Sequence, residues 1–310
     1  IGVYAFYYCE KLVKVELPQG VQALETNAFY YCTALQEIII PNTLEKLASK
    51  AFYNCQSLET VTFEEGGTVG LVIDDGTYYS DEYSGTYYYG PFYNCAKVEE
   101  ILLPERTVSI GKYAFASMAG LKKVYIPSTL ALISERAFYQ CPLLTEVEFG
   151  RDKDGNTSLK EIGQYAFYYA PITSIDLPEG LEILGNNVFY YCKQLESITL
   201  PASLKTIGTY VFYNNINLKT VVIPANSQLE SIGNYAFAYS AITSITFPQS
   251  IKTISDYVFR DCKQLVSATF AGIDTEAGSS LEKIGQRVFQ NCISLTSFAF
   301  PYCGKDASGT

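Results

Sequence analysis

The chain has 310 residues, 48% of them hydrophobic and 17% charged, which is apolar enough to fill a continuous core and excludes a disordered tail. Acidic residues outnumber basic ones 32 to 22, so the formal charge of −10 repels phosphate backbones and excludes nucleic acid as an expected partner. The absence of histidine removes Ser-His-Asp and Cys-His catalysis, H-E-x-x-H zinc sites and every imidazole acid–base mechanism.

Ile1 opens in mid-repeat without Met, as expected of an excised mature portion, and no apolar run approaches the ~20 residues that cross a bilayer, so no membrane insertion is expected in this fragment. From there an Ala-Phe or Val-Phe dipeptide recurs, with the repeat phenylalanine at 6, 29, 52, 92, 115, 138, 167, 189, 212, 237, 259 and 289. A clean unit runs through Leu12, Val15, Leu17, Pro18, Val21, Leu24, Ala28 and Phe29 to Cys32. Its L-x-x-V-x-L-P portion has the period of 2 that marks a short strand, ended by a proline that cannot donate to a ladder. Glycine four residues before the phenylalanine (Gly111, Gly163 and Gly233 among others) predicts a bend, and A-F-x-x-C is too short for more than one helical turn. Such a unit cannot bury its apolar face alone, so neighbours must stack. About twelve parallel strands in one sheet are expected.

Five of the eleven intervals between phenylalanines are 23 residues, two are 22, and the others exceed 23 by 2, 6, 7 and 17. The excess places insertions near 64–90, 150–158, 225–228 and 271–280, expected just after the strand and so along one rim. The first insertion is a predicted hairpin in which Tyr78, Tyr79, Tyr83, Tyr87, Tyr88 and Tyr89 fall outside any repeat slot. Its Tyr/Ser/Gly/Asp composition suits a binding loop, and equally a cover for the solenoid edge. The third and fifth residues of each strand point away from the core. In the first half these include Glu100, Lys123, Tyr125, Glu146 and Glu148, the better candidates for protein docking; in the second half a hydroxyl ladder (Ser174, Ser197, Thr220, Ser244, Ser267, Ser297) replaces them. Asp152-Lys-Asp154-Gly-Asn156 is a poor calcium loop, with Thr157 and Gly163 where glycine and glutamate belong, and is expected to be a solvated turn.

Eight of nine cysteines sit three residues after the phenylalanine and interchange with Met118, Ala170, Asn215 and Ser240, which indicates a packing slot of free thiols rather than disulfides or a zinc site. Only Cys303 lies outside it. Tyrosines directly after the phenylalanine, such as Tyr30 and Tyr53, are expected to pack as a ladder. No cofactor motif is present and no cofactor is expected. A glycosidase using two carboxylates is the one enzyme class that 32 acids leave open.

These residues resemble the leucine-rich repeat of the BspA, or Treponema pallidum, type over 1–301, leaving 302–310 as a polar tail. The resemblance implies an α/β repeat solenoid in one domain, a right-handed superhelix with a concave parallel β-sheet and short helical or 3-10 turns on the convex side. It also implies an extracellular or cell-surface bacterial protein that binds host or other bacterial surface proteins. A saccharide-binding solenoid and a structural stalk are the alternatives.

Overall fold

The structure is a computed structural model that describes residues 1–81, 85–271 and 280–300. The chain divides into two compact units, Ile1–Ile175 and Asp176–Thr310. Cys303 and the polar tail lie outside the described residues, as does most of the 271–280 insertion.

In the first unit most repeats contribute two short strands. The first is the L-x-x-I-x-L segment, as in Glu37–Ile40, where Ile38 and Ile40 turn inward while Glu37 and Ile39 face solvent. The second is only two to four residues long and precedes the phenylalanine. Ala23–Leu24, Lys46–Leu47, Leu71–Ile73, Thr107–Ile110, Leu132–Ile133 and Glu161–Ile162 pair in that order, all parallel. One aliphatic side chain per strand, Leu24, Leu47, Ile73, Ile110, Ile133 and Ile162, lines up in register beneath this ladder. The first strands form shorter groups: Glu37–Ile40 pairs Thr60–Phe63, and Glu100–Leu102 pairs Lys123–Ile126, which pairs Glu146–Phe149. The single sheet of first strands is therefore corrected. The continuous ladder belongs to second strands, which are too short to show a period of 2.

The second unit repeats the scheme. Ile183–Leu184, Thr206–Ile207, Ser231–Ile232, Thr253–Ile254 and Lys283–Ile284 form its parallel ladder. Its first strands pair as Ser197–Thr199 with Thr220–Val222, and as Ser244–Phe247 with Ser267–Phe270 and then Ser297–Phe298.

The helical or 3-10 turns expected at A-F-x-x-C are also corrected: among the described residues there is no helix. In nearly every repeat the residues two before and two after the phenylalanine take left-handed backbone angles, as at Asn27 (φ 60°) and Tyr31 (φ 59°). Left-handed residues four apart prevent consecutive i to i−4 bonds. Instead, N–H groups alternate between the local turn and the next repeat. Tyr30 N–H donates to Asn27 C=O (3.2 Å) and Cys32 N–H to Phe29 C=O (3.3 Å), whereas Phe29 N–H reaches Ala51 C=O (2.7 Å) and Tyr31 N–H reaches Tyr53 C=O (2.8 Å). Each turn is thus bonded into the stack, which offsets the ~1–2 kcal/mol cost of a left-handed L-residue.

The core is the phenylalanine ladder. Phe29, Phe52, Phe92, Phe115, Phe138 and Phe167 are fully buried in the first unit, with rings stacked, for example Phe29 on Phe52 at 5.1 Å and 3°. The cysteine slot lies beside it, and each thiol does more than fill space. Sγ donates to the carbonyl of the preceding repeat's phenylalanine, Cys55 to Phe29 (3.2 Å), Cys141 to Phe115 (3.1 Å) and Cys262 to Phe237 (3.1 Å). The eight described cysteines are free thiols. The glycine before the turn serves close approach rather than a bend: at Gly233 a Cβ would stand 2.6 Å from the Gly208 carbonyl carbon and the Thr209 nitrogen.

Candidate binding site

The long interval between Phe52 and Phe92 holds two additions. Val72 pairs Lys46, so Leu71–Ile73 is the regular second strand of its repeat. Only a short extension precedes it, and the larger addition runs between Ile73 and Phe92, where Leu47 and Phe52 are separated by four residues. The tyrosine hairpin therefore enters beside the phenylalanine turns, unlike the insertion at 150–158, which follows the first strand Glu146–Phe149.

Thr77–Asp81 and Gly85–Tyr89 form this antiparallel hairpin, with Tyr78 opposite Tyr88 and Tyr79 opposite Tyr87. Tyr83 lies outside the described residues. Alternation gives the hairpin two faces. On one, Tyr88 stacks on Tyr113 (4.8 Å, 12°) and meets Tyr139 edge-on at 5.0 Å. Ala116 stands where the ring after the phenylalanine would continue the tyrosine row, and Tyr88 supplies a ring beside that gap. On the other face Tyr89 meets Tyr93 edge-on (4.8 Å) and tilts toward Tyr53 (5.8 Å), with the Lys50 ammonium 4.4 Å from its ring centre. Tyr53 and Tyr139 sit deep enough that burial pushes both phenols up to about 12. Tyr88 and Tyr89 are thus anchors, whereas Tyr78, Tyr79 and Tyr87 are 64%, 55% and 38% exposed.

Glu100, Lys123, Tyr125, Glu146 and Glu148 come together on the first strands, where Lys123 lies in register with both Glu100 and Glu146, and Tyr125 with Glu148. Lys123 Nζ donates to Glu146 (2.7 Å) and Glu148 (2.9 Å), raising the ammonium pKa through the Glu146 bond first and lowering that of Glu146. Tyr125 Oη donates to Glu105 (2.7 Å), which also accepts from the Ser128 hydroxyl (2.7 Å). These exposed pairs contribute little stability individually. A groove of about 650 Å³ opens next to them where Thr60–Phe63 and Glu100–Leu102 fail to pair, with Glu59, Thr62, Lys97, Glu99, Glu100 and Leu102 in its lining. Sequence reasoning missed this groove. The signal for it was the 40-residue interval, which interrupts the ladder of first strands.

The structure does not join hairpin and charged strands into one site, because the hairpin rests on the turn row. In the second unit the outward hydroxyls meet one another, as Thr246 and Thr269 do at 3.2 Å. Asp152 accepts from the backbone N–H groups of Asp154 (2.9 Å) and Asn156 (2.8 Å), and these bonds lower its pKa, Asn156's first. The acidic segment is accounted for as a capped turn.

The profile of the BspA type leucine rich repeat region matches six copies over residues 1–79, 88–159, 160–296 and 273–305. The chain belongs to the BspA-type leucine-rich-repeat family. Among solved structures, a leucine-rich repeat protein from Bacteroides ovatus is 25% identical with a TM-score of 0.53, over 95% of this chain and 80% of that one. A leucine-rich cell surface protein from Faecalibacterium prausnitzii is 22% identical (TM-score 0.47; 91% and 84% covered), and a Treponema pallidum leucine-rich repeat protein 23% identical (0.45; 71% and 88%). No curated protein matches the chain. The BspA-type pattern passes over residues 80–87. Tyr78, Tyr79, Tyr88 and Tyr89 fall within the matched spans, and Tyr83 and Tyr87 between them.

Proposed function

We propose that this chain is a non-enzymatic binding protein, secreted or held at the bacterial cell surface, that recognises a protein partner through the tyrosine hairpin, with the charged first strands as a second contact. The observation that carries the reading is the division of labour in the hairpin. Tyr88 and Tyr89 fix it to the turns, and Tyr78, Tyr79 and Tyr87 present rings that no repeat requires. Rigid amphipathic rings bury area at low conformational-entropy cost, and interface hot spots are enriched in tyrosine. The surface assignment draws support from the family and from the cell-surface description of the F. prausnitzii relative.

Probing a protein array and a glycan array with the same sample tests the reading. Saturable protein capture that falls about tenfold or more when Tyr78, Tyr79 and Tyr87 become serine is the expected result. Capture of glycans alone would favour the saccharide reading, and silence on both arrays would favour a stalk.

A further inference from the structure

A second site lies where the hairpin meets the first turns of the chain. A pocket of about 320 Å³ is floored by the row of Tyr7, Tyr30 and Tyr53, whose rings stack at 5.2 and 4.7 Å, and walled by Tyr79 and Tyr89 of the hairpin. Asn27 and Lys50, each two residues before its phenylalanine, complete the lining together with Tyr4. That position varies along the chain: it holds tyrosine at 4, 113, 165, 210, 235 and 257, asparagine at 27 and 187, and a cation at 50, 136 and 287. Where its tyrosines succeed one another they close the row, as Tyr210 and Tyr235 do at 4.9 Å and Tyr235 and Tyr257 at 4.7 Å. Asn27 leaves that row open, and Tyr79 and Tyr89 of the hairpin enclose the opening.

Two polar groups in the pocket lack a match. Asn27 is 8% exposed, and its Oδ1 has no hydrogen-bond partner. A buried acceptor without a donor is destabilising in the free protein. Lys50 Nζ faces the Tyr89 ring, and among the described residues it has no carboxylate partner. Burial alone lowers its pKa, the opposite of what the ion-paired Lys46 shows. Lys46, one turn away, is held by Glu25 at 3.1 Å and Asp74 at 3.5 Å.

We propose that this pocket binds an acidic sugar residue, a pyranose carrying a carboxylate. The sugar's C–H surface lies against the edges of the stacked tyrosine rings, and its carboxylate pairs with the Lys50 ammonium. Tyrosine hydroxyls at the mouth serve its hydroxyls. The site shares Tyr79 with the proposed docking surface but not Tyr78 or Tyr87, and its test alters Asn27 and Lys50 alone.

Titration calorimetry on the full chain with glucuronate, N-acetylneuraminate, glucose, acetate and a short oligoglutamate tests the assignment. At least one of the two carboxylated sugars is expected to bind saturably, about tenfold or more tighter than glucose and than acetate. Lys50→Gln should remove that preference while leaving glucose binding unchanged. Asn27→Tyr, which restores the ring found elsewhere in the row, should abolish sugar binding without lowering the melting temperature. Acetate as good as the sugars would reveal a simple anion site, and tighter binding of oligoglutamate would reassign the pocket to an acidic peptide; either overturns the proposal. So would the absence of any sugar titration, or undiminished binding in both folded variants.

Discussion

Raising the pH from about 9 toward 12 will progressively destabilise both compact units, because each holds a thiol whose ionisation burial opposes in the folded state. Burial, the largest cause, pushes Cys141 in the first unit and Cys262 in the second up to about 12. An unfolded cysteine ionises near 8.5. Below that pH both states keep the proton, and the cysteines' contribution is fully present. Above it the unfolded chain releases a proton that the folded chain retains, so stability falls by about 1.4 kcal/mol per pH unit for each such thiol until the folded value is reached. Over the whole window that loss, on the order of several kcal/mol for each thiol, is comparable with the lower end of an ordinary domain's stability. Tyr53 and Tyr139, also raised to about 12, act in the same direction. Circular dichroism and thiolate absorbance followed together should change at the same pH. Thiolate appearing near pH 9 with the fold intact would show that water reaches the cysteine slot.

Phe138→Ala is expected to cost about 3–5 kcal/mol, the range for truncating a buried aromatic ring. Phe138 is fully buried between Phe115 at 5.3 Å and Phe167 at 5.4 Å, and Cys141 and Ala166 fill the adjoining slots. In a stack each repeat touches only its neighbours, so no distant element can close the cavity. Phe300, 69% exposed, serves as the control, with a change within about 0.5 kcal/mol on truncation. Urea unfolding of both variants decides the matter, and a cost below about 1 kcal/mol at Phe138 would mean that the ladder collapses onto the gap.

The repeat was readable because its largest side chain recurs at a nearly fixed spacing, and Phe29 to Phe259 occupy the core as that spacing requires. The second strands were not readable. Lys46–Leu47 carries a single inward side chain, and two residues cannot display a period. The turns escaped for a different reason. Tyr31 and Tyr113 adopt left-handed angles that tyrosine seldom takes, and only a minority of these positions, Asn27, Asn54, Asn94, Asn187, Asn214, Asn291 and Asp261, offered a residue type that signals them. Leu71–Ile73 passed for part of an insertion because its register with Lys46–Leu47 is a long-range pairing. The five charged-face residues were placed together correctly by strand alternation. Their separation from the tyrosine hairpin followed from that same misplaced strand.

Since Leu71–Ile73 belongs to the ladder, a decisive deletion must spare it. Replacing Asp74–Pro91 by the Ala48–Ala51 connection that links Leu47 to Phe52 removes the hairpin and keeps both strands of the repeat. With a partner obtained from the array, its affinity and the melting temperature are measured on the same variant. Binding should weaken by about tenfold or more, equivalent to about 1.4 kcal/mol, while melting falls by only a few degrees through loss of the Tyr88 and Tyr89 contacts. Undiminished binding by a protein that still melts cooperatively would contradict the account, and would place the partner on some other surface of the stack.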